Sequence, residues 1–427
     1  MAIAAESLRG TGTGHARAAV GEPPGLPRPD WRVVALAGVL LLGGAAYLSE
    51  AVAWRQAALY VLGGALGLVL YHAAFGFSSS WRVFVSDGRG AGLRAQMLML
   101  AVASAIFLPA LADGSLFGRP VGGAVAPFGT SVLVGAFLFG VGMQLGGGCA
   151  SGTLYTVGGG SSHMVVTLVF FMAGSLLGSA HLPWWLGTPS LGSISLLREL
   201  GLTGALAAQL GAFAALALAS ALIERRRHGT VSLGFALRAG PAAPRPRLTR
   251  RLLQGPWPLL WGAVLLALLN AATLVLAGHP WTVSFGYTLW GAKAAAALGV
   301  DVASWEFWTW RYPRQALEGG VLAEATSVMN LGILVGAFLA AGLAGRFAPR
   351  RRIAWGVALA AALGGLLMGY GARLAFGCNI GAYFSGIASG SLHGWLWLVA
   401  ALAGTYVGTA LRPAFGLAVE RRRRGGC

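Results

Sequence analysis

About ten apolar stretches, each close to the length of a membrane-crossing helix, constrain this chain more than any other feature. They run at roughly 32–49, 56–77, 93–112, 129–147, 163–182, 203–223, 257–278, 321–345, 353–374 and 392–411. A helix needs about 20 apolar residues to cross the hydrocarbon of a bilayer, and a spanning segment must satisfy its own backbone polar groups. The sequence therefore predicts an all-α polytopic membrane protein with about ten transmembrane helices. Composition agrees, since 56% of the residues are hydrophobic and only 10% are charged. A soluble chain carries about a quarter charged residues.

The net charge of +18 comes mostly from arginine. Arg82, Arg89 and Arg94 follow the second stretch, and Arg225 to Arg227 with Arg245, Arg247, Arg250 and Arg251 follow the sixth. Arg346 and Arg350 to Arg352 follow the eighth, and Arg421 to Arg424 follow the tenth. Every cluster follows an even-numbered stretch, so all share one side. The positive-inside rule makes that side cytoplasmic and places both termini there, as in a multi-pass protein of the plasma (inner) membrane. No basic stripe interleaves with aromatic residues, so nucleic acid is not an expected partner.

This reading divides the chain into segments. Residues 1–30 form a Gly/Pro/Arg-rich cytoplasmic tail expected to be disordered. Residues 31–223 form a first membrane half, 224–256 a proline- and arginine-rich cytoplasmic linker, and 257–412 a second membrane half. Residues 413–427 form a basic tail that ends in Cys427. Within the second half, 279–320 holds Trp281, Trp290, Trp305, Trp308 and Trp310. Tryptophan favours the membrane surface, so this segment reads as interfacial.

Two of the three cysteines sit in glycine-rich runs, GGGCASG at Gly146 to Gly152 and FGCNIG at Phe376 to Gly381, 229 positions apart. At that offset Gly135 falls on Gly364, Gly140 on Gly369, Gly142 on Gly371, Gly148 on Gly377, Cys149 on Cys378 and Gly152 on Gly381. Each run lies between two apolar stretches, and the count of stretches orients the two units oppositely. Inverted repeats with interrupted helices characterise many transporters, whose substrate sites lie at the repeat interface. Irregular backbone at membrane depth must be buried in protein or line a cavity. Short helices starting after each glycine run would aim N–H groups at an anion. The upstream glycines read instead as close-packing positions between helices.

A thiol is small, polarizable and mostly neutral near neutral pH. It can donate a weak hydrogen bond to a soft anion, or simply be buried. Matched places in an inverted repeat favour function for Cys149 and Cys378. Nearby polar residues complete the candidate substrate path, which comprises Cys149, Cys378, Gly148, Gly377, Ser151, Thr153, Arg373 and Asn379. Arg373 lies within an apolar stretch, where a cation is costly and marks a functional candidate, unless it snorkels to the interface. No Cys-x-x-Cys or Cys/His cluster points to a metal, no cofactor is expected, and no nucleotide-binding motif implies ATP hydrolysis.

GGGCASGTLYTVGGG (Gly146 to Gly160) and GARLAFGCNIGAYFSGIASGSLHGWLW (Gly371 to Trp397) resemble the YeeE/YedE family of sulphur-transport membrane proteins. The resemblance implies an hourglass-like inverted-repeat fold with short re-entrant helices. It also implies cysteines along a central path that hand thiosulfate on through S–H···S contacts, with Cys149 and Cys378 as two of them. A small soluble sulphur-carrier protein is an implied cytoplasmic partner. Thiosulfate-importing relatives carry one further cysteine in an early motif, but here FGFSSSWR (Phe75 to Arg82) has Gly76 in its place. The expected function is import of a small sulphur-containing anion, thiosulfate or a relative, by a protein that is not an enzyme. The alternative is a membrane-embedded redox or sulphur-transfer protein using Cys149 and Cys378. A structural scaffold would tolerate replacement of both cysteines.

Overall fold

The computed structural model of the chain describes residues 27–232, 248–349 and 353–420. Most of the 1–30 tail, the middle of the 224–256 linker, Arg350 to Arg352 and the end of the basic tail with Cys427 lie outside the described residues. The described chain is helical: α1 (Trp31–Ala51), α2 (Trp54–His72), α3 (Phe77–Asp87), α4 (Ala91–Asp113), α5 (Thr130–Leu145), α6 (Ala150–Gly158), α7 (Ser162–Leu186) and α8 (Leu196–His228). Then come α9 (Leu248–Gln254), α10 (Leu259–Ala277), α11 (Ser284–Ala297), α12 (Glu306–Thr309), α13 (Arg311–Glu318), α14 (Ala325–Leu343), α15 (Trp355–Leu374), a π-helix (Asn379–Gly386) and α16 (Leu392–Leu411). Among the described residues, 10 helical segments are long and apolar enough to cross a membrane. All the predicted stretches are among them, so the chain is an all-α polytopic membrane protein. Among the described residues, strand is confined to a short hairpin, Ser115–Leu116 with Arg119–Pro120, and to Pro127–Gly129 paired with Ser190–Ser193.

Two units repeat within the bundle. Helices α2 to α7 correspond in order to α10, α11, α14, α15, the π-helix and α16. The packing repeats with them: α2 lies along α14 as α10 lies along α4, and α5 lies along α16 as α15 lies along α7. Helix α5 also packs on its own counterpart α15. In that pair Gly135 faces Gly371 and Gly142 faces Gly364, so the two helices are antiparallel. Equivalent helices that run antiparallel make the units inverted.

The upstream glycines are packing positions, as expected. The tightest approach joins α14 to α2, where a methyl at Gly336 would overlap the backbone carbonyl of Gly64. In lipid, helices are held by such close contact rather than by a hydrophobic driving force.

The described parts of the arginine-rich segments gather at one end of the bundle. Arg94 pairs with Glu224, Arg82 with Glu420, and Arg89 with Asp87. His228 Nε2 contacts the carbonyl of Asp87 at 2.8 Å, and Gln254 Nε2 donates to the carbonyl of Pro27 at 3.2 Å. We call this the basic end. The short α3 and α6 run toward it, since Asp87 closes α3 there and Gly160, just past α6, lies against Phe347. The π-helix runs toward the opposite end, where Ser389 and Ser391 hold the loop at Ala124 and Ala126.

The 279–320 segment divides in the structure. Trp281 and Trp308 are buried, whereas Trp290, Trp305 and Trp310 are half-buried. Helix α11 occupies the place in the second unit that α3 holds in the first, and most of its first eight residues are buried. Glu324 is buried as the N-cap of α14, accepting from the N–H groups of Thr326 and Ser327 and from the Tyr312 hydroxyl.

Candidate functional site

Each membrane-region cysteine is the N-cap of a short helix. Cys149 precedes α6, and its Sγ accepts from the N–H of Gly152 at 3.4 Å. Cys378 precedes the π-helix, and its Sγ accepts from the N–H of Ile380 at 3.4 Å. The glycines before them shape the turns. Gly147 takes φ +84° and Gly377 φ +155°, conformations that L side chains rarely adopt, and a Cβ on Gly377 would lie 2.6 Å from the N of Ala382. Gly148 is constrained by space instead, since a Cβ would meet the Met164 methyl at 2.7 Å. Both thiols are buried, Cys149 at 1% and Cys378 at 0% exposure.

The other predicted residues separate into two groups. Ser151 Oγ lies 3.5 Å from Cys149 Sγ. Asn379 follows Cys378 directly, is fully buried, and neither its Oδ1 nor its Nδ2 has a hydrogen-bond partner. Thr153 Oγ1 instead donates back to the Cys149 carbonyl at 2.9 Å, which satisfies it within its own helix. Arg373 packs on aromatic rings of α11 and α12. Its guanidinium lies over Phe307 at 5.1 Å and Phe285 at 6.0 Å, and its Nε and Nη1 are buried without hydrogen-bond partners. It is a cation held on aromatic faces near α11 and α12.

Three features were missed in the sequence. Tyr287 of α11 donates from its hydroxyl to the Ala150 carbonyl at 2.9 Å, so the second unit reaches the first beside Cys149. Gln96 of α4 is fully buried, and its Oε1 accepts from Trp81 Nε1 at 2.8 Å and from the Tyr383 hydroxyl at 3.2 Å. Its Nε2 has no partner. Finally, a buried chain of rings runs Phe77, Tyr383, Trp397, Phe139, Phe171, Tyr287, with centroid spacings from 4.8 to 6.2 Å. It connects α3, the π-helix, α16, α5, α7 and α11. The only local sequence signal for it was the aromatic content of stretches otherwise built of small residues.

Gly76 is the N-cap of α3, with φ −100° and ψ 116°. It therefore stands in α3 where Cys149 and Cys378 stand in their helices. A Cβ there would press on the Ser79 hydroxyl and lie 3.6 Å from the Tyr155 hydroxyl. Ser79 Oγ is a rotatable group bonded to the Gly76 carbonyl at 3.2 Å, so it can give way. Gly76→Cys is expected to fold, with stability changed by no more than about 1 kcal/mol. Thermal unfolding of the purified variant checks this, and a collapse of its melting temperature would show that the cap admits no side chain.

Glu420 follows α16 at the basic end. Burial pushes its carboxyl up, but hydrogen bonds from Arg82 and the nearby charges of Arg82 and Arg412 outweigh that and hold it below the ordinary carboxylate value.

The fold and these caps define a class: a polytopic helical membrane protein built from two inverted units, each presenting a buried cysteine at the start of a short helix. A family model described as sulphur transport matches residues 72–407, and the chain belongs to that family. Over 172 residues it is 31% identical to "Probable transporter YedE" of Escherichia coli K12, covering 39% of this chain and 41% of that relative's length. It is 27% identical over 283 residues to "Thiosulfate transporter TsuA" of Spirochaeta thermophila, covering 62% of this chain and 72% of the relative. Similarity to "Thiosulfate transporter TsuA" of Escherichia coli K12 is 26% over 355 residues, or 82% of this chain and 93% of the relative.

Proposed function

We propose that this protein imports a small sulphur-containing anion, thiosulfate or a close relative, along a central path that passes Cys149 and Cys378. The family and the names of two relatives support the transport reading. One structural observation carries it to the site: the fully buried, unpartnered amide of Asn379 beside Cys378. Buried polar groups in folded proteins are nearly always bonded, and leaving one unbonded costs about 1–3 kcal/mol. An arriving oxyanion would accept from Asn379 Nδ2, while the Cys378 thiol meets the sulphur end. Ser151 and Cys149 offer a second pair of small donors in the inverted unit. Gly148 and Gly377 shape the two caps, whereas Thr153 acts only through the Cys149 carbonyl. Arg373, on its aromatic bed, attracts the anion toward the end opposite the basic one. The positive-inside bias orients the basic end to the cytoplasm of an inner-membrane protein. There a small soluble sulphur-carrier protein would receive the product, and the chain itself performs no covalent chemistry. A sulphur-transfer enzyme would need thiols open to an electron partner, and both thiols are buried.

The test is uptake of labelled thiosulfate by cells lacking other sulphur importers. The intact protein is compared with Asn379→Leu, a replacement with the same branching and number of side-chain heavy atoms but without the amide. Since the amide bonds to nothing in the protein, this variant should keep its thermal stability or gain some. Uptake should fall about tenfold or more, the effect of losing one hydrogen bond of about 1.4 kcal/mol or stronger. Unchanged uptake in Asn379→Leu would remove the residue from the path. No thiosulfate uptake by the intact protein would overturn this substrate.

A further inference from the structure

Arg82 is a mostly buried cation, its side chain 12% exposed, at the basic end of the thiol region. It sits on α3 next to Trp81, whose ring packs on Tyr383 of the π-helix. Its Nη1 reaches Gln144 Oε1 at 3.4 Å, on α5 five residues before Cys149. Gln144 is fully buried and donates to the Ser78 carbonyl at 3.2 Å. Arg82 thus stands beside the helices that carry both caps.

Its partner comes from the far end of the chain. Arg82 Nε and Nη2 donate to the two carboxylate oxygens of Glu420, each at 2.9 Å. This is the bidentate fork that a guanidinium offers to any pair of oxygens on one face, whether of a carboxylate or of a sulphur oxyanion. Arg412 is the second cation here. Its Nη1 donates to the Gln144 carbonyl and its Nε to the Ala418 carbonyl. Both guanidinium groups therefore reach Gln144, Arg412 at its backbone carbonyl and Arg82 at its side chain, while, among the described residues, Arg82 alone pairs with Glu420; two cations beside one carboxylate leave a charge balance better met by a dianion.

The carboxylate is carried outside the regular helices. Beyond the turn at Arg412–Phe415 the chain to Glu420 is irregular, tied back by Leu417 N–H to the Arg412 carbonyl and by Arg412 to Ala418. The Glu420 side chain is 39% exposed, so it reaches the buried guanidinium from the outside. A buried cation left unpaired is costly, so the departure of Glu420 favours entry of another anion in its place.

We infer that the Arg82 fork, with the charge of Arg412 beside it, forms an oxyanion-binding site at the basic end of the path. Glu420 occupies it as a tethered stand-in that an arriving sulphur oxyanion displaces. The identity of that oxyanion rests on the proposed transport function, but the existence of the site does not. The tail acts as a latch, closed by its own carboxylate and opened by the anion.

The test uses the purified full chain in detergent, with thermal unfolding measured against thiosulfate, sulfite and sulfate at an ionic strength held constant with chloride. Glu420→Gln removes the competing charge. It should respond to at least one oxyanion at about a tenfold lower concentration than the intact protein, as expected when a latch closed about nine-tenths of the time is released. Glu420→Asp keeps the charge with a shorter reach, and should fall between them even if Glu420→Gln folds poorly. Adding Arg82→Lys to Glu420→Gln should abolish the gain, because lysine offers no fork. Equal responses in intact protein, Glu420→Gln and Glu420→Asp would overturn the site, as would a gain that survives Arg82→Lys. Labelled thiosulfate uptake by the same variants separates the two proposals. Oxyanion responses that depend on Glu420 and Arg82 without any uptake would leave the site standing and overturn thiosulfate transport. Uptake by the intact protein with no change in response or rate in Glu420→Gln would do the reverse.

Discussion

Cys149→Ser and Cys378→Ser should each lose at least about nine-tenths of thiosulfate uptake while the protein folds as well as before, or better. The reason lies in what a helix cap requires. Serine, threonine, aspartate and asparagine are the favoured N-caps, because an oxygen accepts strongly from the first-turn N–H groups. The two sulphurs accept one N–H each, at 3.4 Å, a weak cap. A hydroxyl in the same place would cap better. Capping therefore gives no reason for cysteine at either position, and the polarizable sulphur is what serine removes. Cys149→Ala and Cys378→Ala should lose uptake too, with a small loss of stability through the missing weak cap, at the low end of the roughly 0.5–2 kcal/mol that oxygen caps contribute. Membrane-resident protein in each variant is quantified alongside uptake. Serine variants that transport at the intact rate would show that sulphur plays no part.

Gly336→Val should prevent the bundle from assembling. A β-carbon on Gly336 would overlap the backbone of Gly64, and neither backbone can swing aside as a side chain can. Overpacking in a close-packed interior costs about 1–3 kcal/mol where side chains can adjust, and more where they cannot. Here α14 would have to part from α2 along its length, since Gly332 of α14 meets the Tyr60 carbonyl and Gly63 of α2 meets Met329 in the same way. The control is Gly211→Ala in α8, where nothing lies within 4 Å of the added methyl. That change should be neutral or stabilise the helix by up to about 1 kcal/mol. The yield of monodisperse protein after extraction, with its melting temperature, reads both. A well-assembled Gly336→Val would mean that α2 and α14 are not locked by this contact.

Much of this architecture could be read along the chain. The crossing helices are legible because lipid imposes a local rule: about 20 apolar residues in a row, whatever their partners. The repeat is legible because Gly135, Gly142 and Cys149 recur as Gly364, Gly371 and Cys378 at one spacing. Helix α3 was not legible. FSSSWRVFVSD is too short and too polar to read as membrane-embedded, and only packing against α4, α5 and α16 gives it a place. Surface preference makes the tryptophans of 279–320 read as interfacial, yet Trp281 and Trp308 are buried, with the Trp281 backbone N–H donating to Asn270 of α10 and Trp308 Nε1 to Ser179 of α7.

The sequence by itself determined the solvent, the number of crossings, the sidedness of the arginines and the two thiols among glycines. Those follow from the composition of each segment and from the order of segments along the chain. Only the tertiary structure decided which polar groups go unsatisfied and which meet across the repeat. Asn379 is orphaned, Thr153 is satisfied by its own helix, and Arg373 rests on Phe307 and Phe285. Glu420 closes on Arg82 from 338 positions away. A hydrogen bond is directional and a few ångströms long, so its partners are set by how helices far apart in sequence pack, and no local pattern encodes that.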